Sequence, residues 1–262
     1  MRLINREGRT AFDHEPDATA HRTPGVSTLV RVKDEEDWIE RSLHSVLWAD
    51  EIVVTLNDCA DATPQIVERF RAAHPSKVIV RSFPFPISAM GPGHDKCPDD
   101  SIHASAFFYN FTQSLSTRTH CLKWDGDCIG QDWLGDRIRE LMASGHERIK
   151  IFGVDLASDL RHVGNHRVCP SNGIYRVAPG VRYVQAPLTQ SLRGVPPHTA
   201  EVHDCFIHTK WIKPMASATK QWPKGWEEMP HFQNIAARRH PVAPYRGEYP
   251  ASVRALLNRD SA

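Results

Sequence analysis

The sequence has no surplus of charge, no long apolar run and no paired cysteine motif, and each absence removes a class of function. Lysine and arginine total 32 against 31 acidic residues, so no overall field recruits nucleic acid or an anionic surface. No stretch approaches the ~20 apolar residues needed to cross a bilayer, which leaves peripheral membrane contact as the only membrane role open. The opening MRLINREGRTAFDHEPDATAHRTPG is polar with no apolar h-region, and is not read as a secretory signal. The six cysteines (Cys59, Cys97, Cys121, Cys128, Cys169, Cys205) are scattered without a CxxC pair or zinc-ribbon spacing. Cys121 and Cys128 read as small core or near-core residues in a reducing compartment, and the chain as soluble and cytoplasmic.

What is present is a regular alternation of strands and helices. A chain of 262 residues holds one large domain with small appendages. Residues 1–24 read as a flexible leader or loosely docked arm. Val26 to Val32 is a buried strand, and Asp34 is the expected N-cap of a helix bearing Trp38, Ile39, Leu43, Val46 and Leu47. Glu51 to Leu56 is a second strand, Thr63-Pro64 opens a second helix, and Val78 to Val80 is a third strand. This order predicts an α/β fold, a mostly parallel doubly wound sheet with helices on both faces, joined later in the chain by a small antiparallel section. Ligands in such sheets bind beyond the carboxyl ends of the strands. Those ends carry Lys33 to Glu36, Asn57 to Asp61, and Asp125 with Asp127.

The last pair lies in His120 to Ile129, HCLKWDGDCI, which reads as a buried strand broken at Gly126. A turn there brings two carboxylates toward one point, and hard oxygen ligands of this kind suit Mg²⁺ or Mn²⁺. With 18 aspartates in the chain, about one Asp-x-Asp triplet is expected by chance, so the flanking sequence decides.

Residues 83–100, rich in proline and glycine, read as a long loop. Ser101 to Ser116 is helical, Asp132 caps a helix through Met142, and Arg148 to Val154 is a strand. Ile174 to Val177 and Val181 to Gln185 are expected to pair antiparallel about Pro179-Gly180. Glu201 to Ile212 alternates as one strand, with Val202, Asp204, Phe206 and His208 on one face. The proline- and aromatic-rich residues 216–262 read as a tail wrapping the 25–215 body, with a final helix at Ala251 to Leu257.

Residues 26–70, VSTLVRVKDEEDWIERSLHSVLWADEIVVTLNDCADATPQIVERF, resemble the opening of a family 2 glycosyltransferase with the GT-A fold. Lys33-Asp34-Glu35 stands where that family carries an Asn-Glu pair, and Asp61 with Thr63 matches its "tDgT" turn. Asn110, 15 residues before Asp125, keeps the spacing between the family's "arN" helix and its DxD. The resemblance implies a metal-dependent, inverting transfer of sugar from a nucleotide-diphosphate sugar to a carbohydrate or other hydroxyl acceptor. It assigns Asp125, Asp127 and His208 to the metal. It assigns Glu35, Asn57, Asp61 and Asp125 to the nucleotide sugar. Leu56 replaces the family's uracil-contacting Asp, so the donor base stays open.

One departure concerns the base: Leu188 and Thr189 occupy the positions of the family's His-Glu pair, so Asp204, Glu201 and His203 are the next candidates for general base, with Asp204 favoured. It lies four residues from His208, about 13 Å along a regular strand. Arg31 and Lys96 are basic residues able to meet phosphates, but given no weight. Competing readings are an inactive nucleotide- or carbohydrate-binding module of the same fold and a sugar-phosphate nucleotidyltransferase. The latter needs a glycine-rich phosphate loop, which VRVKDEED lacks.

Overall fold

The structure, a computed structural model, describes residues 2–15, 22–88, 91, 93–157, 160–168, 173–197, 199–209 and 243–259. Its strands are β1 (Thr23–Val32), β2 (Glu51–Leu56), β3 (Val78–Ser82), β4 (Arg118–Asp125), β5 (Cys128–Gly130), β6 (Arg148–Ile151), β7 (Gly153–Leu156), β8 (His162–Val168), β9 (Ile174–Arg176), β10 (Arg182–Gln185), β11 (Gln190–Arg193), β12 (Ala200–Val202), β13 (Phe206–His208) and β14 (Ala243–Pro244). The α-helices are α1 (Ile39–Ser45), α2 (Thr63–Ala73), α3 (Ser105–Ser114), α4 (Leu134–Ala143) and α5 (Ala251–Arg259).

The first sheet runs β12-β6-β9-β4-β1-β2-β3. All its pairings are parallel except the two made by β9. The expected α/β class, mostly parallel with helices on both faces, is borne out. One face takes Ile39 and Leu43 of α1, Val67 and Phe70 of α2 and Ile138 of α4 against Val30, Val54, Leu122 and Trp124. The other takes Phe107, Phe108 and Phe111 of α3 against Leu29, Val53 and Cys121. Alternate residues of β1 and β4 thus feed opposite layers, and each fully buried large side chain contributes about 1.5–3 kcal/mol.

A second sheet, β14-β8-β7-β13-β5, is mixed. The chain passes from the first sheet to the second at β4→β5, β6→β7 and β12→β13. Backbone bonds stitch this seam: Phe152 N donates to Val202 O, Cys205 N to Phe152 O and Gln131 N to Cys205 O, each at 2.8 Å. At Gly153 a Cβ would fall 2.2 Å from the Phe206 ring. Only glycine leaves room for the Phe206 ring to lie over β7 at this point.

Several sequence expectations change. Asp34 does not cap α1, which starts at Ile39. Its backbone is left-handed (φ 53°) and its carboxylate accepts from Ala60 N at 2.7 Å. Asp132 caps α5 instead of α4, accepting from Ala251 N and Arg254. β9 joins the first sheet, and β10 pairs with β11 rather than with β9. Glu201 to Ile212 is not one strand: β12 and β13 are separated by Asp204 at φ 55°, and residues 210–212 lie outside the described ones. The 83–100 loop is anchored where described, with His94 Nε2 2.8 Å from Ser105 Oγ and Gly91 N donating to Leu188 O.

Of the N-terminal arm, residues 2–15 dock on the α3 layer. Phe12 packs edge-on to Phe83 and Phe85, and Glu7 accepts from Ser101 Oγ and Ile102 N. In the tail, Tyr245, Tyr249 and Val253 join a third cluster with Trp38, Ile129, Leu156 and Ile207. Trp222, Pro223, Trp226, Pro230, Phe232 and Pro241 lie outside the described residues, as does Cys169. The five described cysteines are free thiols. No described helix is long and apolar enough to cross a membrane.

Candidate functional site at the seam of the two sheets

The turn joining β4 to β5 places both carboxylates of Asp-Gly-Asp at the seam. α1 holds this turn: Ser42 Oγ donates to Asp125 O, and Trp124 Nε1 donates to Ser42 Oγ and Cys128 O at 3.1 Å each. Thr209 closes it from the other side, its backbone N and Oγ1 both donating to Asp127 O. Gly126 is needed for space rather than for a left-handed backbone. A Cβ there would meet Glu35 Cγ and Val32 Cγ2 at 3.1 Å.

Asp127, 7% exposed, faces His208 at the end of β13. His208 Nε2 is 3.4 Å from Asp127 Oδ1, while its Nδ1 donates to Asp155 Oδ1 at 2.7 Å. Asp155 is register partner to His208 across β7 and β13 and is fully buried. Its second oxygen has no hydrogen-bond partner among the described residues. Burial alone would lower the His208 pKa; the flanking Asp127 and Asp155 carboxylates override that and lift it to about 10.

These distances bear on whether a metal fits. A charge-assisted N–H···O bond runs about 2.7–2.9 Å, and the His208–Asp155 contact has that length. The Asp127–His208 contact is longer. It approaches the spacing of two ligands on one octahedral ion with ~2.1 Å bonds, about 3 Å apart. A histidine metal ligand ordinarily gives its other ring N–H to a carboxylate, and Asp155 takes that part. Cys128 Sγ also lies within 4.8 Å of the Asp127 and His208 ligand atoms. Burial first, then Asp127 and Asp125, push its thiol well up, which leaves a protonated, poor ligand for a hard ion. Once His208 gives up its Nε2 proton, as binding of an ion requires, the donor set fits a divalent cation, and its imidazole favours Mn²⁺ over Mg²⁺.

Asp125, the more exposed carboxylate, ends β4. Burial would raise its pKa, but Lys123 and Arg31 hold it below the ordinary value. Lys123 Nζ lies 3.5 Å from Asp125 Oδ2.

The other expected site residues divide. Glu35 packs on Gly126 beside the turn. Asp61 braces the neighbouring loop, accepting from Glu36 N at 3.0 Å and Thr63 N at 2.9 Å. The Asn57 amide donates to Phe83 O and Phe85 O, so its NH₂ group holds backbone. Asp204 is not brought to the cluster. It is exposed, precedes β13 at the end opposite His208, and acts on Tyr245, whose pKa is lifted to about 12 by burial first and then by Asp204. Thr189 donates to Gln190 Oε1, and Asn110 clamps the Tyr183 backbone from both sides.

Asp155, Lys123 and Arg31 were not singled out by spacing. The signal was there: each is a charged residue inside an otherwise apolar strand, in GVDL, CLKWD and TLVRV.

No family model matches the chain, and no curated protein matches it. Solved structures similar to it include S. aureus TarS in complex with UDP-GlcNAc, 18% identical with a TM-score of 0.41 over 58% of this chain and 45% of that one. Another structure of S. aureus TarS is 15% identical with a TM-score of 0.46 over 70% and 36%. A mannosyltransferase from Pyrobaculum calidifontis in complex with GDP-Man and Mn²⁺ is 18% identical with a TM-score of 0.37 over 56% and 39%. The chain spans less than half the length of each of these three.

Proposed function

We infer that the chain is a metal-dependent glycosyltransferase of GT-A type, moving a sugar from a nucleotide-diphosphate sugar to a hydroxyl acceptor. The observation that carries this reading is the Asp127–His208–Asp155 array at the seam, set beside Asp125 at the tip of β4. The resemblance of residues 26–70 to family 2 glycosyltransferases, and the position at strand ends, support it.

In this reading Asp127 and His208 hold Mn²⁺ or Mg²⁺, and Asp155 fixes the His208 ring so that Nε2 faces inward. A divalent ion there supplies Lewis-acid charge to the departing diphosphate. Asp125 faces the donor, and Glu35, Asn57 and Asp61 shape the wall of the nucleotide pocket from the first two strand ends. Asp204 has no part in the cluster.

A non-catalytic binding module is the second reading, favoured by two observations: Thr189 stands where the resemblance implies an acid, and Asp204 lies away from the site. Incubation with a panel of uridine and guanosine nucleotide sugars plus Mn²⁺ separates the two. Release of nucleoside diphosphate supports the transferase. Metal-dependent nucleotide binding with no turnover supports the module.

A further inference from the structure

A second cluster lies one layer beneath Asp125, on the α3 side of the first sheet. Arg31 and Asp125 are register partners across β1 and β4, and Lys123 precedes Asp125 by two residues on the same face. Arg31 is 8% and Lys123 6% exposed. The Arg31 guanidinium lies over the Tyr109 ring, 3.8 Å from its centroid, and Lys123 Nζ is 5.8 Å from the same point. Among the described residues, two buried cations therefore share one carboxylate, Asp125, and one positive charge is in excess.

Buried charges are ordinarily paired and hydrogen-bonded. Among the described residues, none of the three Arg31 guanidinium nitrogens has a hydrogen-bond partner. On α3, which carries Tyr109, two side-chain acceptors serve other donors: Gln113 Oε1 takes the Tyr175 hydroxyl, and Asn110 Oδ1 takes Tyr183 N. Stacking on Tyr109 covers one face of the guanidinium and fixes its plane, while its N–H edge meets no acceptor.

We propose that Arg31 and Lys123 form a binding site for an anionic oxygen group, a carboxylate or phosphate, carried by the substrate that approaches Asp125. The planar fork of Arg31 matches either group bidentately, and Lys123 adds a point charge. The nitrogens are closed to solvent, so the ligand reaches them by moving the Asp125 side chain, which is 36% exposed and is the cluster's outward member. The inference rests on the transferase reading only for which substrate carries the anion: the donor through its diphosphate, or a sugar through a carboxylate or phosphate.

Calorimetry in EDTA reads this site without the metal. The probes are pyrophosphate, glucose 6-phosphate and glucuronate, with glucose as the neutral control. At least one anion binds the wild-type protein and glucose does not. Arg31→Met weakens that anion by about tenfold or more, and Arg31→Lys by less. The anion that responds identifies the source: diphosphate, sugar phosphate or sugar carboxylate. Lys123→Met gives the same reading should Arg31→Met lose its cooperative melt. Binding of no anion, or equal affinity in the folded variants, overturns the proposal. Asp127→Ala keeps the anion binding, so failure of Mn²⁺-dependent nucleotide binding removes the transferase reading and leaves this site standing.

Discussion

His208 donates from Nδ1 to Asp155 across the paired strands β13 and β7, at 2.7 Å, while its Nε2 faces Asp127 at 3.4 Å. One imidazole thus joins the buried wall of the second sheet to the turn that ends β4. If Asp155 orients this ring for a metal, Asp155→Asn weakens Mn²⁺ binding about 10–100-fold while the protein stays folded. Calorimetry with Mn²⁺ measures it, and unchanged affinity denies Asp155 that role.

Asp204→Asn leaves turnover of donor within about twofold of wild type. The residue is exposed, in left-handed backbone, and separated from His208 by the length of β13. A large fall in kcat with KM unchanged would return Asp204 to the base role that the sequence suggested.

Gly126→Ala lowers stability by about 1–3 kcal/mol. The added methyl would press on Glu35 and on Val32 of β1 at 3.1 Å, and Val32 is buried in the core. Urea unfolding checks this, and a variant as stable as wild type shows that the turn has room to shift.

His14 makes the docked N-terminal arm sensitive to acid. Burial first, against the opposing Phe12 carbonyl and Asp13, lowers its pKa to about 4. The unfolded chain binds this proton more tightly, so the His14 contribution is complete above about pH 6.5 and is lost as pH falls toward 4. It amounts to about 3 kcal/mol at most. His14→Phe, which keeps an aromatic ring beside Phe107 and Phe111, flattens that part of the stability curve between pH 7 and 4.5. A curve that stays parallel to wild type would place the acid sensitivity elsewhere.

The first sheet was legible because its strands are apolar runs and its helices carry 3.6-residue periodicity, as in Glu51 to Leu56 and Thr63 to Ala73. The seam was not. β6 and β7 read as one strand because Arg148 to Val154 is continuous in pattern, and only the contact of Gly153 with the Phe206 ring shows why the chain changes sheets there. Asp204 looked inward by alternation, yet the left-handed backbone at that residue breaks the alternation between β12 and β13. Asp155 was hidden for a related reason: its partner His208 lies 53 residues away, and no local spacing announces a pairing between strands. Arg31 and Lys123 were visible as charges in buried strands, but their common Tyr109 ring comes from α3.

The central claim is that Asp127 anchors a divalent ion through which a nucleoside diphosphate is held. Titration of UDP and of GDP into wild type and Asp127→Ala, each with Mn²⁺ and with EDTA, tests it most directly. At least one nucleotide is expected to bind wild type only with Mn²⁺, and Asp127→Ala to lose this binding while melting cooperatively. Nucleotide affinity that is indifferent to Mn²⁺, or equal in the two proteins, contradicts it.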